Sequence, residues 1–224
     1  MSSIDRTKLL AVQMRRFGLV LPLLIGAIAL AHGLLLALPG AFAPAAFALA
    51  VIPARFTEGP LAFHQPLAAL GPLFGHVFLH SPQFLLHIGM NLLVLAQIGG
   101  LPSRRLGAWR FLLLFFGSAA AAALAYIGFN LGSETPAIGA SGAVCGVFPA
   151  FLLASQPRWR DALRDRRVQL SAFWFLLINV GLAYLAARSG LIPIAWEAHL
   201  GGFLGGLALY PLLARKDRPY NPWG

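Results

Sequence analysis

This 224-residue chain has few charged residues and almost no cysteine. Charged residues make up 11% of the chain, only 7 residues are acidic, and Cys145 is the single cysteine. A lone cysteine excludes an internal disulfide. With 58% hydrophobic residues and a mean hydropathy of +0.75, the composition excludes a water-soluble domain and predicts a membrane protein.

The basic residues separate apolar segments and do not form one patch. A net charge of +10 suggests nucleic-acid binding, but that function needs a basic patch with interleaved aromatics in a soluble fold. Because a spanning helix needs about 20 largely apolar residues, the uncharged stretches predict an all-α protein with six membrane spans. These stretches cover residues 17–54, 59–103, 111–133, 135–157, 168–187 and 198–214.

Prolines interrupt the first two of these stretches. Six of them break the region between the first two predicted helices: Pro39, Pro44, Pro53, Pro60, Pro66 and Pro72. Proline removes a backbone donor and breaks a helix interior. We therefore expect the first two spanning helices near residues 17–38 and 83–100, with an irregular connection between them.

The Lys and Arg residues are divided unequally between the two sides of this six-span arrangement. Only Arg55 and Arg188 fall on one side, and all the others lie in the two tails and two connections on the opposite side. By the positive-inside rule, both termini are predicted to be cytoplasmic. The expected organisation is a cytoplasmic tail (1–16), a membrane domain (17–214) and a second cytoplasmic tail (215–224).

The fourth apolar stretch contains a serine between small residues, in the run Gly139-Ala140-Ser141-Gly142. A helix over residues 141–156 would rise about 24 Å, less than the hydrocarbon thickness of about 30 Å, so Ser141 is expected below the membrane surface at a helix amino terminus. Free N–H groups there stabilise developing negative charge. The same small residues also suit close helix packing, so this run alone leaves both interpretations open.

His199, at the start of the sixth stretch, is the candidate base for that serine. Gly202 and Gly206 follow it at helical spacing and predict close packing against the fourth helix near Gly142. Glu197 precedes His199 by two residues, which is about 200 degrees around a helix. We therefore predict a Ser-His dyad, with Glu197 as a solvated cap at the helix start.

His87 and Asn91 lie four residues apart and share one face of the predicted second helix. Both side chains can donate hydrogen bonds to the oxyanion of a tetrahedral intermediate. The alternative is a pair that only bonds neighbouring helices. His76 and His80 could join His87 as metal ligands, but the sequence has no His-Glu-x-x-His motif, so structural hydrogen bonding is expected for them.

Together, these three motifs closely resemble the rhomboid family of intramembrane serine proteases, of bacterial type, over about residues 74–213. The resemblance implies the six-helix rhomboid fold and cleavage of other membrane proteins in or near their spanning segments. It implies that Ser141 is the nucleophile and His199 the base and acid. His87, Asn91 and the Ser141 N–H would form the oxyanion hole, and Gly139, Gly142, Gly202 and Gly206 would allow close packing at the site.

Three positions depart from the pattern of that family. Ala54-Arg55-Phe56 lies where a Trp-Arg pair is usual, and Ser103 lies where Gly-Gly-x-x-Glu is common. Cys145 replaces an aromatic residue that in some members stacks on the histidine. These departures concern the first loop and the support of the histidine.

The expected partners are transmembrane protein substrates and the lipid bilayer, without nucleic acid, cofactor or metal, in a bacterial inner membrane. The sequence does not predict an oligomeric state. One alternative function is a rhomboid-like protein that binds membrane clients without catalysis. Another is a small transporter that uses the six histidines, although it would lack intramembrane carboxylates.

Overall fold

A computed structural model describes residues 19–58, 68–189 and 194–214. The predicted cytoplasmic tails, together with His64, Pro60 and Pro66, lie outside the described residues. This part of the chain is helical, with one isolated β-bridge between Val51 and Ala137.

Eleven α-helices are present in the described residues. In chain order they are α1 (Val20–Ala37), α2 (Phe42–Leu49), α3 (Pro53–Thr57), α4 (Leu70–Gly75), α5 (Leu85–Leu106), α6 (Ala108–Phe129), α7 (Ser141–Ala154), α8 (Trp159–Arg164), α9 (Arg166–Leu176), α10 (Ala183–Arg188) and α11 (Trp196–Leu213). A short 3-10 helix, His76–Phe78, follows α4. A π-helical segment, Leu177–Leu182, joins α9 to α10 as one continuous helix.

Four helices among the described residues are long and apolar enough to cross a membrane: α1, α5, α6 and the continuous helix Arg166–Arg188. The other two predicted spans correspond to α7, which has only 14 residues, and α11, which carries Glu197 and His199. Length and apolar composition therefore support an integral membrane protein. The count of six spans and the cytoplasmic termini stay predictions.

The proline-rich region forms short helices, because a proline in the first turn of a helix removes no hydrogen bond within that helix. Pro53 begins α3, and Pro44 is the third residue of α2. Helix α5 departs from its expected end near residue 100 and continues through Pro102 to Leu106. Leu106 is 3% exposed, and this packing holds the last turn in spite of the proline.

Helices α6, α7 and α11 form the centre of the bundle. Glycines of α11 rest on the backbone of α7, so that a Cβ at Gly202 would collide with the carbonyl oxygen of Gly142. A Cβ at Gly206 would collide with the Gly146 carbonyl in the same way. This absence of side chains brings the backbones of the two helices together and aligns their amino-terminal ends.

The connection between α6 and α7 is hydrogen-bonded to α3 and to the segment before it. Val51 and Ala137 exchange two backbone hydrogen bonds of 3.0 and 2.9 Å, and the Ala54 N–H donates to the Ser133 carbonyl at 2.9 Å. These bonds fix the chain as it approaches α7, whose first residue is Ser141.

Candidate active site

Ser141 and His199 lie next to each other at the amino-terminal ends of α7 and α11. The Ser141 Oγ is 3.0 Å from the His199 Nε2, which is hydrogen-bonding distance. Both residues are half-buried, so the bundle covers them only in part. Two residues 58 positions apart in the chain are thus in direct contact.

The hydrogen-bond partner of the second ring nitrogen of His199 defines the tautomer of the imidazole. His199 Nδ1 is 2.9 Å from the backbone carbonyl oxygen of Asn179, in the π-helical segment. A carbonyl oxygen only accepts, so Nδ1 carries the proton. In the neutral ring, Nε2 then has a free lone pair directed at the Ser141 hydroxyl. This is the protonation state that a general base for the serine requires.

The turn before Ser141 is held by two histidines of the loop that precedes α5. The Gly139 N–H donates to the His76 carbonyl at 2.9 Å, and the Ala140 N–H donates to His80 Nε2 at 3.3 Å. His76 Nδ1 in turn donates to the Pro72 carbonyl at 2.8 Å. Both histidines therefore make the structural hydrogen bonds expected of them, and they bond to backbone and not to each other.

His80 is fully buried, and its protonation is unfavourable. Burial is the main cause that lowers the pKa of His80 to about 3, and repulsion from His87, His32 and His76 acts in the same direction. Burial also lowers the pKa of His76, against a smaller opposing effect from its bond to Pro72. Both rings are consequently neutral near pH 7, which keeps the His80 Nε2 available as an acceptor.

His87 also lies against this turn, with its ring centroid 5.0 Å from that of His80. The Ser81 N–H donates to His87 Nδ1 over 3.5 Å, so the neutral ring carries its proton on Nε2. A Cβ placed on Gly139 would lie 2.6 Å from that Nε2, and Gly139 has a φ of +113°. Glycine is therefore required at this position for two reasons, and the donor atom of His87 faces the residues just before Ser141.

Asn91 is 7% exposed and lies one turn beyond His87 on α5. Its side-chain amide donates to the His87 carbonyl at 2.8 Å, which orients the group and leaves a second N–H. At the start of α7, the side chain of the N-cap residue Ala140 offers no capping bond. The N–H of Ser141 is therefore among the unsatisfied donors that begin this helix.

The prediction that Glu197 is a solvated cap is wrong. Glu197 does lie in the first turn of α11, but it is 9% exposed and accepts a 3.2 Å hydrogen bond from the Asn130 side chain. The close packing of α6 against α11 covers the Glu197 carboxylate, and the Asn130 amide supplies the hydrogen bond that the buried group needs. Both ring nitrogens of His199 already bond to Ser141 and Asn179, so Glu197 is not a ring partner.

Two groups at the site have roles that the sequence does not predict. The first is the Asn179 carbonyl; its only sequence signal is an amide side chain in an apolar stretch. The second is His80, whose bond to Ala140 spans 60 positions of the chain. Cys145, which departs from the family pattern, lies buried in α7 as a free thiol.

Comparison with known proteins identifies the family of this chain. The family model described as Rhomboid domain matches residues 69–216, which is more than half of the chain. This chain belongs to the rhomboid family. It is also similar to Rhomboid-type serine protease 2 of Emericella nidulans, with 32% identity over 139 residues. That match covers 59% of this chain and 25% of the fungal protein, so the chain spans well under half the length of that rhomboid relative.

Proposed function

We propose that this rhomboid-family chain is an intramembrane serine endopeptidase that cleaves transmembrane proteins in or near their spanning segments. The observation that carries the proposal is the 3.0 Å contact between Ser141 Oγ and the Nε2 of a His199 whose Nδ1 is bonded to a carbonyl. The family membership and the name of the fungal relative support it.

In the first step, Ser141 Oγ attacks a substrate carbonyl carbon while its proton passes to His199 Nε2. The carbonyl π electrons move to oxygen and form an oxyanion. The N–H of Ser141, the His87 Nε2–H and the free N–H of Asn91 are the donors proposed for it. A single donor of this type contributes about 3–4 kcal/mol to the stability of the transition state.

In the second step, the oxyanion collapses, the C–N bond breaks, and the Nε2 proton passes to the leaving amine. The product is an ester on Ser141. Water then attacks this ester with His199 again as base, and cleavage of the C–Oγ bond returns a proton to Ser141. A substrate must unwind at the cut, because a helix keeps its peptide carbonyls hydrogen-bonded.

The proposal includes the topology of the chain. Six spans with both termini in the cytoplasm, tails at 1–16 and 215–224, and a bacterial inner membrane are consistent with the distribution of basic residues. In this topology the basic residues of α8, Arg160 and Arg164, lie on the cytoplasmic side. Ser141 then opens toward the outer leaflet, at the opposite end of α7.

Purified protein in liposomes with a single-span test substrate provides the test. Ser141→Ala and His199→Ala should each abolish cleavage while the protein still accumulates, and a fluorophosphonate should label the wild type on Ser141 only. Unchanged cleavage by either variant would contradict the dyad. A wild type that binds the substrate but is neither active nor labelled would instead be a client-binding protein without catalysis.

A further inference from the structure

The π-helical segment Leu177–Leu182 interrupts a continuous helix at the point where it meets His199. An α-helix bonds each carbonyl to the N–H four residues later, whereas a π-turn bonds it to the fifth. A helix that returns from π to α hydrogen bonding leaves a carbonyl outside its own ladder. Asn179 lies within this segment, and its carbonyl accepts the Nδ1 proton of His199 at 2.9 Å.

The face of the helix that carries Asn179 is held against the bundle by Phe175, one turn earlier. The Phe175 ring stacks on Phe148 of α7 at a centroid distance of 3.8 Å and on Phe203 of α11 at 6.0 Å. The Asn179 side chain donates back to the Phe175 carbonyl at 3.0 Å. The amide side chain is thus occupied within its own helix, and the backbone of Asn179 is what faces the histidine.

Two other candidate groups among the described residues, Cys145 and Glu197, do not orient the ring. Cys145 has no aromatic ring on which an imidazole could stack. The Glu197 carboxylate is bonded to Asn130. The Asn179 carbonyl is the partner of the one His199 nitrogen that Ser141 does not use.

We propose that the main-chain carbonyl of Asn179, presented by the π-helical segment, is the positioning group that holds His199 in the tautomer required for catalysis. This proposal rests on the proposed protease function. It adds a third member to the dyad, supplied by a backbone atom of a different helix. No side-chain substitution at Asn179 removes that atom, so the test must change the helix itself.

Deletion of Gly181 removes one residue from the π-helical segment and allows an α-helical ladder to take up the Asn179 carbonyl. Deletion of Ala187, in α10, shortens the same helix by one residue beyond the segment and is the matched control. We expect the Gly181 deletion to lower kcat about 10- to 100-fold with little change in KM, as loss of a ring-orienting partner does. The kcat of the Ala187 deletion should stay within about threefold of the wild-type value.

The tautomer is read independently by ¹⁵N NMR of histidine-labelled protein, with the His199 signals assigned from His199→Gln. Wild type and the Ala187 deletion should show a protonated Nδ1, and the Gly181 deletion should show an increased population of the Nε2-protonated form. A Gly181 deletion that keeps the Nδ1-protonated form and the control's kcat would overturn the proposal. The NMR measurement does not depend on catalysis. An inactive wild type would therefore refute the protease function, while the tautomer of His199 could still be measured.

Phe175→Ala provides a second route if the Gly181 deletion does not fold. It removes the stacking that holds the Asn179 face against α7 and α11. Phe173→Ala is its control, because Phe173 is 56% exposed. The first variant should lose kcat and the Nδ1-protonated signal together, and the second should lose neither. Equal behaviour of the two variants would overturn the positioning role.

Discussion

Ser141 and His199 stand on helices at the centre of the bundle, whereas Asn179 lies on a helix at its edge. Helix α6 packs against the helices of Ser141 and His199, and half of its apolar segment is buried inside the protein. In the helix Arg166–Arg188, which carries Asn179, the buried share of the apolar segment is 6%. In the centre, backbones touch through glycines and leave no room for side chains. At the edge, a few side chains and one carbonyl make the contact.

This difference teaches that the two halves of the site tolerate change differently. A backbone-to-backbone contact cannot relax by a change of rotamer, so an added side chain must separate the helices. A helix anchored by a few ring contacts can shift without loss of the core. Changes in the centre should therefore reduce stability, and changes at the edge should reduce activity while the fold persists.

Gly202→Leu should have the largest effect, because its Cβ would collide with the Gly142 carbonyl. We expect a loss of about 3 kcal/mol or more in the free energy of unfolding, together with all cleavage activity. Gly128→Leu, in α6, is the control, since nothing lies within 4 Å of a Cβ there. Thermal unfolding in detergent measures both variants. Similar melting temperatures for the two would remove the basis for the comparison between centre and edge.

Gly139→Ala should lower the rate of cleavage about 100-fold and reduce stability less than Gly202→Leu does. The variant would meet His87 Nε2 and would also adopt a positive φ, which costs about 1–3 kcal/mol. Gly107→Ala separates these causes, because Gly107 has a φ of +80° but open space around its Cβ. Equal losses of activity in the two alanine variants would show that contact with His87 is unimportant.

Acidification should destabilise the protein through the histidines behind Ser141. The pKa of His80 in the folded protein is about 3, below its ordinary value of 6.5, so the unfolded chain binds more protons between these values. His80 therefore contributes stability that is fully present above pH 6.5 and declines toward pH 3, by at most about 1.4 kcal/mol per pH unit. Burial of His76 acts in the same direction.

His80→Gln isolates this contribution, because a glutamine oxygen can still accept from the Ala140 N–H but does not titrate. Melting temperatures between pH 7 and pH 4 should fall less steeply for the variant than for the wild type. Parallel curves would mean that His80 is not the group responsible.

Cys145→Ala should have the smallest effect. Cys145 is 3% exposed and its thiol is free, so the substitution removes one sulfur atom and leaves a small cavity. If His199 is oriented by the Asn179 carbonyl, cleavage should stay within about twofold of wild type, and stability should fall by roughly 1 kcal/mol. A tenfold or greater loss of kcat would show that residue 145 supports the histidine.

Much of this arrangement could be predicted from local patterns. The hydrophobic stretches predicted helices that correspond to α1, α5, α6, α7, α11 and the helix Arg166–Arg188. The short fourth stretch and its glycines predicted that Ser141 begins a helix, which it does. These predictions depend on length, spacing and composition, which are read along one segment at a time.

Other features depended on contacts between distant segments. Glu197 was predicted to be solvated because its neighbours in sequence give no sign of Asn130, which reaches it from the end of α6. The extension of α5 through Pro102 depended on packing and could not be read from a helix-breaking residue. Local propensity is overridden wherever tertiary packing satisfies the lost bond or charge.

By itself the sequence determined the environment of the protein, because the surface of so apolar a chain must be covered by lipid or packed inside the bundle. It also determined which reactive side chains are available, since its Ser and His residues occur at fixed positions. Only the tertiary structure decided which nitrogen of His199 faces Ser141, because that depends on a carbonyl of Asn179. Every residue has such a carbonyl, so no residue type marks it in advance. Its direction in space follows from how the π-helical segment packs against the bundle.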